Sequence, residues 1–177
     1  MTPAILVRPS ADADVPDIAR IYGHHVLHGL ASFEEVTPAV EEMARRRADI
    51  LSNGFPYLVA EEAGQVVGYA YCSAYRPRSG YRFSVEDSIY VAPGRCGAGI
   101  GSLLLPRLVD AATALGARQM IAVIGDSANH GSIRLHARFG FRHAGTLEAI
   151  GFKLGRWVDS VLMQRALGEG ASTLPPA

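Results

Sequence analysis

The sequence lacks several features that mark specialised classes of protein. It has only two cysteines, Cys72 and Cys96, and no C-x-x-C pair, which excludes a disulfide framework and predicts reduced thiols in a cytoplasmic protein. Its first residues, MTPAILVRPSADAD, lack a basic segment followed by a long apolar run, so no signal peptide is expected. No apolar run approaches the roughly 18 residues of a transmembrane helix.

An excess of charge of either sign is also missing. Lys plus Arg number 17 and Asp plus Glu number 17, so composition gives no electrostatic reason to expect a nucleic-acid or membrane partner. Hydrophobic residues make up 49% of the 177 residues, enough for a sizeable core. We expect one domain over residues 1–167 and a flexible tail over residues 168–177.

The apolar periodicity predicts a strand, two helices, three strands, a helix, a strand, a helix and two strands. Tyr57–Glu61 and Val66–Tyr75 are expected to form a hairpin around Ala63-Gly64. This order predicts an α/β fold (α+β, mixed sheet) in which helices flank a central mixed β-sheet.

Capping residues predict where the first two helices begin. Ser10 or Asp12 is expected to cap the first, and Thr37, followed by Pro38, the second. The basic run of residues 45–47 in the second helix reads as a solvated face.

Three glycines at alternate positions follow the predicted strand FSVEDSIYV. Gly97, Gly99 and Gly101 precede an apolar helix predicted over Gly99–Leu115. The first N–H groups of a helix lack internal acceptors, and glycines let a phosphate approach them, so the loop predicts a phosphate or pyrophosphate site. A tight turn with close helix packing is the structural alternative. Neither G-x-G-x-x-G nor G-K-[ST] is present, which weakens the dinucleotide and triphosphate interpretations.

The segment IYVAPGRCGAGIGSLLL resembles the acetyl-coenzyme A loop of the GNAT N-acetyltransferase superfamily. That pattern is Gln or Arg, two residues, Gly, one residue, then Gly or Ala; Gly99 and Gly101 fit it, and Cys96 takes the Gln/Arg position. A nucleophilic Cys96 is the alternative to a main-chain role. The resemblance implies acetyl-coenzyme A as co-substrate, with these contact residues: Ile89, Tyr90, Val91, Cys96, Gly97, Ala98, Gly99, Ile100, Gly101, Ser102, Asn129 and Ser132.

Longer segments resemble the phosphinothricin and methionine sulfoximine acetyltransferase branch of this superfamily. They are IYGHHVLHGLASFEE, GYAYCSAYRPRSGYRFSVEDSIYV, SANHGSIRLHARFGF and GFKLGRWVDSVLMQ, and the resemblance extends from Arg8 to about Leu167. It implies the GNAT acyl-coenzyme A N-acyltransferase fold, the acetylation of a small amino acid analogue, and a homodimer.

Glu86 is the candidate general base. Side chains alternate along a strand, so Glu86, Ser88 and Tyr90 share one face, and Asp87 and Ile89 share the other. An ammonium must lose a proton before its nitrogen attacks a thioester, and a carboxylate can take that proton. The resemblance places the base on Glu86; a surface carboxylate is the alternative.

His136 is the second candidate catalytic residue. Many members of the superfamily carry a tyrosine at this place that protonates the leaving thiolate, whereas this branch has histidine, which can donate or accept a proton near neutral pH. The resemblance assigns His136 to the thiol or to positioning the amine. The alternative is a helix histidine bonded to a neighbour. Asn129 is either a coenzyme contact or a plain N-cap.

The loop RPRSGYR supplies candidate substrate ligands. Arginine forks bind carboxylates and phosphinates, so the loop is expected either to hold an anionic acceptor or to be a solvated basic loop. The substrate candidates are Arg76, Arg78, Tyr81, Arg82, Phe33 and Lys153. Trp157 is a weaker candidate, and Lys153 and Trp157 alternatively lie near a dimer surface.

No metal is expected. His24 and His28 have i, i+4 spacing, with His25 between them, but no H-E-x-x-H motif or nearby cysteine accompanies them. An ordinary helix face is the preferred interpretation.

The sequence therefore predicts an N-acetyltransferase that moves acetyl from acetyl-coenzyme A to the α-amine of a compound such as phosphinothricin, methionine sulfoximine or methionine sulfone. Three alternatives stay open: acetylation of a polyamine, aminoglycoside or protein N-terminus; an idle acyl-coenzyme A sensor; and a dinucleotide-binding oxidoreductase domain.

Overall fold

One sheet carries all of the strands in residues 4–175, the part of the chain that the computed structural model describes. The strands are β1 (Leu6–Pro9), β2 (Tyr57–Glu62), β3 (Gln65–Ala74), β4 (Ser84–Val91), β5 (Gln119–Gly125), β6 (Arg142–Lys153) and β7 (Arg156–Ala166). The helices are α1 (Val15–His28), α2 (Val40–Ser52), α3 (Ile100–Ala114) and α4 (His130–Arg138). The spatial order is β1-β2-β3-β4-β5-β7-β6, and only β4 and β5 run parallel among these neighbours.

The alternation of side chains along β3 and β4 separates two apolar cores. Ala70, Cys72 and Val85 belong to the core that includes Leu104 and Leu108 of α3. On the opposite face, Tyr69 and Tyr90 pack with residues of α1 and α2 such as Ile18, Ile21 and Met43. The two faces of β4 therefore look into different parts of the molecule.

The parallel pair β4 and β5 separates before either strand ends. Its register runs from Ser84 opposite Gln119 to Asp87 opposite Ala122, yet β4 continues to Val91 and β5 to Gly125. Beyond Asp87 the two strands no longer pair with each other, so a gap opens in the middle of the sheet. This gap positions the site described below.

The loop between α1 and α2 is held over the ends of the central strands by close contacts. A Cβ on Gly125 would overlap the carbonyl oxygen of Leu30, and one on Gly151 would overlap the ring of Phe33. The ammonium of Lys153, buried under this loop, donates to the Ser32 carbonyl oxygen at 2.6 Å. Small residues in the strands and one buried cation thus fix the position of the loop.

The predicted element order is confirmed, and so is the α/β fold with a mixed sheet. The β2–β3 hairpin turns at Ala63 and Gly64, whose φ angles are 51° and 81°. Two left-handed residues of this kind suit the right-handed twist of a two-residue hairpin.

The predicted helix starts were wrong. A single 3-10 turn, Asp12–Asp14, precedes α1, and α2 begins at Val40 after Ala39 rather than at Thr37-Pro38. Neither Ser10 nor Asp12 caps α1, because both serve another partner. Thr37 lies close to α1, where a Cβ on Gly23 would approach its Cγ2 to 2.8 Å.

Ser10 and Asp12 bind Arg47. The interpretation of residues 45–47 as a solvated face was therefore wrong for Arg47. Arg47 is buried, donating from Nε to Ser10 Oγ at 2.7 Å and from Nη1 to Asp12 Oδ1 at 2.6 Å. Arg45 remains exposed and pairs with Glu42 and Asp49 on the same helix. The three consecutive arginines point in different directions, as the helical rotation of about 100° per residue requires.

Arg118 contacts residues that follow the last strand, β7. Its Nη1 donates to the Gly170 carbonyl oxygen at 3.3 Å and to Thr173 Oγ1 at 3.0 Å. The flexibility of residues 168–177 stays a prediction, and the last two of them lie outside the described residues. In the described part of the chain, none of the helices combines the length and the apolar character needed to cross a bilayer.

Candidate active site

A cleft of about 610 Å³ occupies the gap between the ends of β4 and β5. Its floor comes from the two strands, and its sides come from the loop before α3 and from α4. It includes these predicted coenzyme residues: Ile89, Tyr90, Val91, Cys96, Gly97, Gly99, Ile100, Gly101, Ser102, Asn129 and Ser132. Ala98 belongs to the same loop but is not part of the cleft lining. The size is typical of a site for a small ligand or coenzyme.

The loop before α3 presents backbone donors to this cleft. Gly97 and Gly99 have φ angles of 84° and 82°, a left-handed conformation that side chains with a Cβ disfavour. The Leu103 N–H donates to the Gly99 carbonyl oxygen, so the three preceding N–H groups, at residues 100–102, have no acceptor within the helix. Together with the helix dipole they suit an anion such as a pyrophosphate.

Gly101 also has a packing role, which was the structural alternative for the glycines. A Cβ at this position would lie 2.7 Å from Leu135 Cδ2, so the glycine lets α3 approach α4 closely. Gly97 and Gly99 have no atom within 4 Å of such a Cβ. The three glycines therefore divide between helix packing and backbone conformation.

Three arginines that sequence reasoning did not assign also line the cleft: Arg95, Arg134 and Arg138. Arg95 is paired with Glu62 through Nη1. Arg134 and Arg138 are exposed and one helical turn apart on α4, so their guanidinium groups can meet an anion at its mouth. Their i, i+4 spacing in the segment that contains His136 was the available signal.

The two cysteines occupy contrasting environments. Cys96 is exposed in the glycine loop, and Cys72 is buried in β3. Burial, with a contribution from the nearby Asp87 charge, raises the pKa of the Cys72 thiol to about 12, so it stays neutral.

His136 is buried and bonded through both ring nitrogens. Nε2 lies 3.0 Å from Asp87 Oδ2, and Nδ1 lies 2.8 Å from the Ser132 carbonyl oxygen. Burial by itself lowers the pKa of His136, but the hydrogen bond and charge of Asp87, with help from Ser132, outweigh it and leave the pKa raised. His136 and Asp87 both line the cleft, so the helix histidine that is bonded to its neighbours is also part of the cleft wall.

Glu86, adjacent to Asp87, points to the other face of β4 and does not line the cleft. It is partly buried, and no hydrogen bond from the described residues reaches its carboxylate. Burial and the neighbouring Asp87 charge raise the pKa of Glu86, while Arg76 lowers it in part. A carboxylate with a raised pKa is a better proton acceptor than one on an open surface.

Glu86 faces a polar, aromatic compartment that the sequence reasoning missed. Tyr71 of β3 lies opposite Ser88 in the strand register, and the Glu86 charge contributes to the raised pKa of Tyr71 after burial. From α1, Tyr22 Oη lies 2.9 Å from both Ser32 Oγ and Glu34 Oε1. The tyrosines at alternate positions in GYAYC were the signal for this compartment.

Arg76 of the RPRSGYR loop is exposed, and its charge partly lowers the pKa of Glu86. The Arg76 guanidinium lies 5.2 Å from the ring centre of Tyr75 and 6.0 Å from that of Tyr81. Arg78 and Arg82 are exposed, and Arg82 lies over the ring of Phe83. Of these loop residues, Arg76 has the clearest relation to Glu86.

The remaining substrate candidates lie on or beside the loop between α1 and α2. Phe33 is partly exposed against Gly151, and Lys153 is buried with its Nζ bonded to Ser32. Lys153 thus contacts the loop backbone, and its substrate role stays a prediction. Trp157 is exposed on β7, next to Phe152.

The three histidines of α1 do not converge on one point. His25 Nε2 lies 2.9 Å from the Val91 carbonyl oxygen and lines the cleft, whereas His24 and His28 face each other at 5.0 Å. Over residues 4–175, no group of three or more His, Cys, Asp or Glu side chains is arranged to hold a metal ion.

The site has two compartments, one on each side of β4. The cleft on one side offers backbone donors, arginines and a histidine–aspartate pair, which suits a phosphorylated coenzyme. The compartment on the other side offers a carboxylate with a raised pKa, tyrosines and Arg76, which suits a small amine that also carries an anionic group. Because Glu86 and Asp87 are consecutive, the two ligands would meet at β4.

Comparison with known proteins gives matching results. Residues 25–141 match the model of the acetyltransferase (GNAT) family. A phosphinothricin N-acetyltransferase from Alcaligenes faecalis is 53% identical over 172 residues, which cover 97% of this chain and 87% of the relative. An L-methionine sulfoximine/L-methionine sulfone acetyltransferase from Salmonella typhimurium is 39% identical, covering 94% of this chain and 96% of the relative.

A solved structure is similar over nearly the whole chain. It is the crystal structure of a GNAT phosphinothricin acetyltransferase from Sinorhizobium meliloti in complex with acetyl-coenzyme A. The TM-score is 0.94, with 51% sequence identity, and the match covers 99% of this chain and 94% of that one.

Proposed function

The chain belongs to the GNAT acetyltransferase family and is an N-acetyltransferase that uses acetyl-coenzyme A, and from this premise we propose that its acceptor is the α-amine of a small amino acid analogue. We take phosphinothricin, methionine sulfoximine and methionine sulfone as representative acceptors, because relatives that match most of this chain are named as acetyltransferases of these compounds.

The observation that carries this proposal is the placement of Glu86. Its carboxylate lies on β4 next to Asp87 of the cleft, with its pKa raised by burial, and Arg76 is near enough to affect that pKa. An α-amino acid brings an ammonium and an anionic group on neighbouring atoms. Glu86 and Arg76 form a matching pair of opposite charges for such a molecule.

Acetyl-coenzyme A supplies the acetyl group as an activated thioester. The free N–H groups at residues 100–102 fit its pyrophosphate, and the unpaired edge of β4 beyond Asp87 fits the amides of its pantetheine arm. Backbone N–H groups of the same edge are placed to polarise the thioester carbonyl.

Glu86 takes a proton from the acceptor ammonium, directly or through water, and so produces the amine that attacks. The nitrogen forms its bond to the acetyl carbon, and the carbon–sulfur bond breaks with its electron pair staying on sulfur. His136 then provides a proton to the leaving thiolate. Cys96 contributes main-chain contacts to the coenzyme and no covalent step.

The test is thiol release from acetyl-coenzyme A with phosphinothricin, methionine sulfoximine, methionine sulfone and spermidine as acceptors, with the products identified by mass spectrometry. We expect the three amino acid analogues to be acetylated at the α-amine and spermidine to react far more slowly. Turnover confined to spermidine would assign the enzyme to polyamines. Coenzyme binding without turnover of any acceptor would indicate a sensor.

We further propose that the chain forms a homodimer through the β6–β7 hairpin. Phe152 and Trp157 face each other across this hairpin with exposed fractions of 58% and 66%, and Leu147 and Ile150 are also exposed. An exposed apolar surface of this kind is typical of a subunit interface. We expect light scattering to give twice the mass of one chain, and Trp157→Glu to reduce it to one.

We also propose one domain over residues 1–167, supported by the single sheet from β1 to β7, and a cytoplasmic location, supported by two free thiols.

A further inference from the structure

The His136–Asp87 pair is bonded in a way that fixes how many protons it holds. Both ring nitrogens of His136 face oxygen atoms, Asp87 Oδ2 at 3.0 Å and the Ser132 carbonyl at 2.8 Å. A carbonyl oxygen can only accept a hydrogen bond, so Nδ1 carries a hydrogen. Ser132 Oγ is a weaker alternative partner for Nδ1, because it lies farther away at 3.3 Å.

The hydrogen on Nδ1 leaves Nε2 facing a carboxylate oxygen. A neutral ring with its hydrogen on Nδ1 would bring a nitrogen lone pair against Asp87 Oδ2, which is repulsive. A further proton between Nε2 and Oδ2 removes this conflict. The two side chains are 4% and 2% exposed, so water is not available as a third hydrogen-bond partner to relieve the repulsion between Nε2 and Oδ2.

The pair also has one oxygen without a partner in residues 4–175. Asp87 Oδ1 is buried without a hydrogen-bond partner among the described residues, although Asp87 lines the cleft. A buried carboxylate oxygen in this state calls for a donor from outside the chain. The coenzyme's amide or thiol hydrogen is a donor of the required kind.

We propose that Asp87 is a positioning residue for His136: it fixes the ring in the lining of the cleft and keeps it loaded with the extra proton, so that the pair delivers that proton to the coenzyme thiolate. The proposal rests on the proposed function for the identity of the thiolate, but the bonding of the pair does not depend on it.

The proton balance of the reaction is consistent with this role. The acceptor ammonium loses two protons as it becomes an amide, the first to Glu86 and the second after the nitrogen–carbon bond has formed. Sulfur gains the proton shared between His136 Nε2 and Asp87 Oδ2 when the carbon–sulfur bond breaks. The pair recovers a proton from solvent after the thiol leaves, so each turnover releases one proton overall.

Other charged groups around the pair do not take over the role of Asp87. Cys72, opposite Asp87 in the β3–β4 register, is a neutral thiol, and Glu86 points to the other face of β4. From α4 itself, Arg134 and Arg138 are exposed at the cleft and bring positive charge, which disfavours a second cation. The negative charge of Asp87 is therefore what holds the imidazolium.

The first test needs no activity. Ring-nitrogen NMR of isotopically labelled protein, with the His136 signal assigned by its loss in His136→Gln, reports which nitrogens carry hydrogen. We expect both to carry one near neutral pH in the wild type, with a pKa above the ordinary 6.5. In Asp87→Asn the pKa should fall below that value, and in Asp110→Asn, which removes an exposed carboxylate of α3, it should not move.

The second test uses kinetics. Asp87→Asn should lower kcat, at most by the roughly 10²–10⁴-fold that a general acid contributes, with a much smaller change in KM for acetyl-coenzyme A. It should also move the alkaline fall of kcat to lower pH, a change that a purely structural defect would not produce. The double variant with His136→Gln should be no slower than the slower single variant.

The outcomes separate the two proposals. A wild-type His136 that is neutral near pH neutrality, or unaffected by Asp87→Asn, overturns the role of Asp87 even if acetylation proceeds. Failure of every amine acceptor removes the proposed acceptor class, while the NMR result still decides the protonation of the pair.

Discussion

Glu86 and Asp87 are neighbours in sequence and have opposite environments. Asp87 is buried, paired with a histidine and part of the cleft, whereas Glu86 is partly buried, has no hydrogen-bond partner among residues 4–175 and faces the tyrosine compartment. The difference comes from the alternation of side chains along β4. In the proposed function, one strand therefore serves two ligands, with a carboxylate in a different environment on each face.

The two compartments also recognise their ligands by different means. The coenzyme side relies on backbone N–H groups and glycine conformations, which any phosphate can use. In the proposed function, the acceptor side relies on side chains from α1, the loop after it, β3 and the RPRSGYR loop, so it depends on the identity of each residue. Substitutions should therefore affect the KM of one ligand and leave the other nearly unchanged.

The largest effect is expected for Glu86→Gln. The amide keeps the shape but cannot accept the ammonium proton, so kcat should fall by about 10²–10⁴-fold while the affinity for acetyl-coenzyme A is retained. Thiol release and calorimetric titration measure the two quantities. Glu41→Gln, on the exposed start of α2, is the matched control and should be fully active. A Glu86→Gln enzyme with wild-type kcat would show that Glu86 is not the general base.

The next largest effect is expected for Arg76→Ala. Loss of a charge-assisted bond to the acceptor's anionic group should raise KM for the acceptor by roughly tenfold or more, with KM for the coenzyme unchanged. Arg76 lowers the pKa of Glu86, so its removal raises that pKa and moves the acidic rise of kcat/KM to higher pH. Arg20→Ala, on the outer face of α1, should change neither value. An equal rise in both KM values would contradict the separation of the compartments.

A smaller effect, on the coenzyme side, is expected for Gly99→Ala. The left-handed conformation at φ 82° costs a residue with a Cβ about 1–2 kcal/mol, which corresponds to roughly 5- to 30-fold in affinity for acetyl-coenzyme A. Gly94→Ala imposes a similar strain at φ 75° outside the cleft lining and serves as the control. Similar affinities for the two variants would show that the loop conformation does not hold the coenzyme.

The smallest effect is expected for Cys96→Ser. Because only the backbone of residue 96 is assigned to the coenzyme, kcat should change by less than about twofold, within the range of a surface substitution. Steady-state thiol release measures it, with Cys72→Ser as a comparison that perturbs a buried site. A large loss of kcat, or an acetylated Cys96 trapped in mass spectrometry, would favour the covalent alternative.

Much of the site could be predicted because it lies in local patterns. The spacing of Gly97, Gly99 and Gly101 after a strand predicted the anion loop, and the alternation in FSVEDSIYV placed Glu86 and Asp87 on opposite faces. The predicted caps at Ser10, Asp12 and Thr37 were wrong: Arg47 bonds to Ser10 and Asp12, and α2 begins only at Val40. Local capping preferences cannot anticipate a partner from a distant part of the chain.

By itself, the sequence determined the order of the elements and the anion-binding loop, because each follows from periodicity or from residues close together in the chain, whereas the assignment of the base to Glu86 came from the family resemblance. Only the tertiary structure decided that β4 and β5 separate after Asp87, and that Asp87 meets His136 from 49 positions along the chain. The contact of Lys153 with Ser32 joins residues 121 positions apart and could not be predicted from the sequence either. Such contacts depend on how strands and helices pack together, which no local pattern of residues specifies.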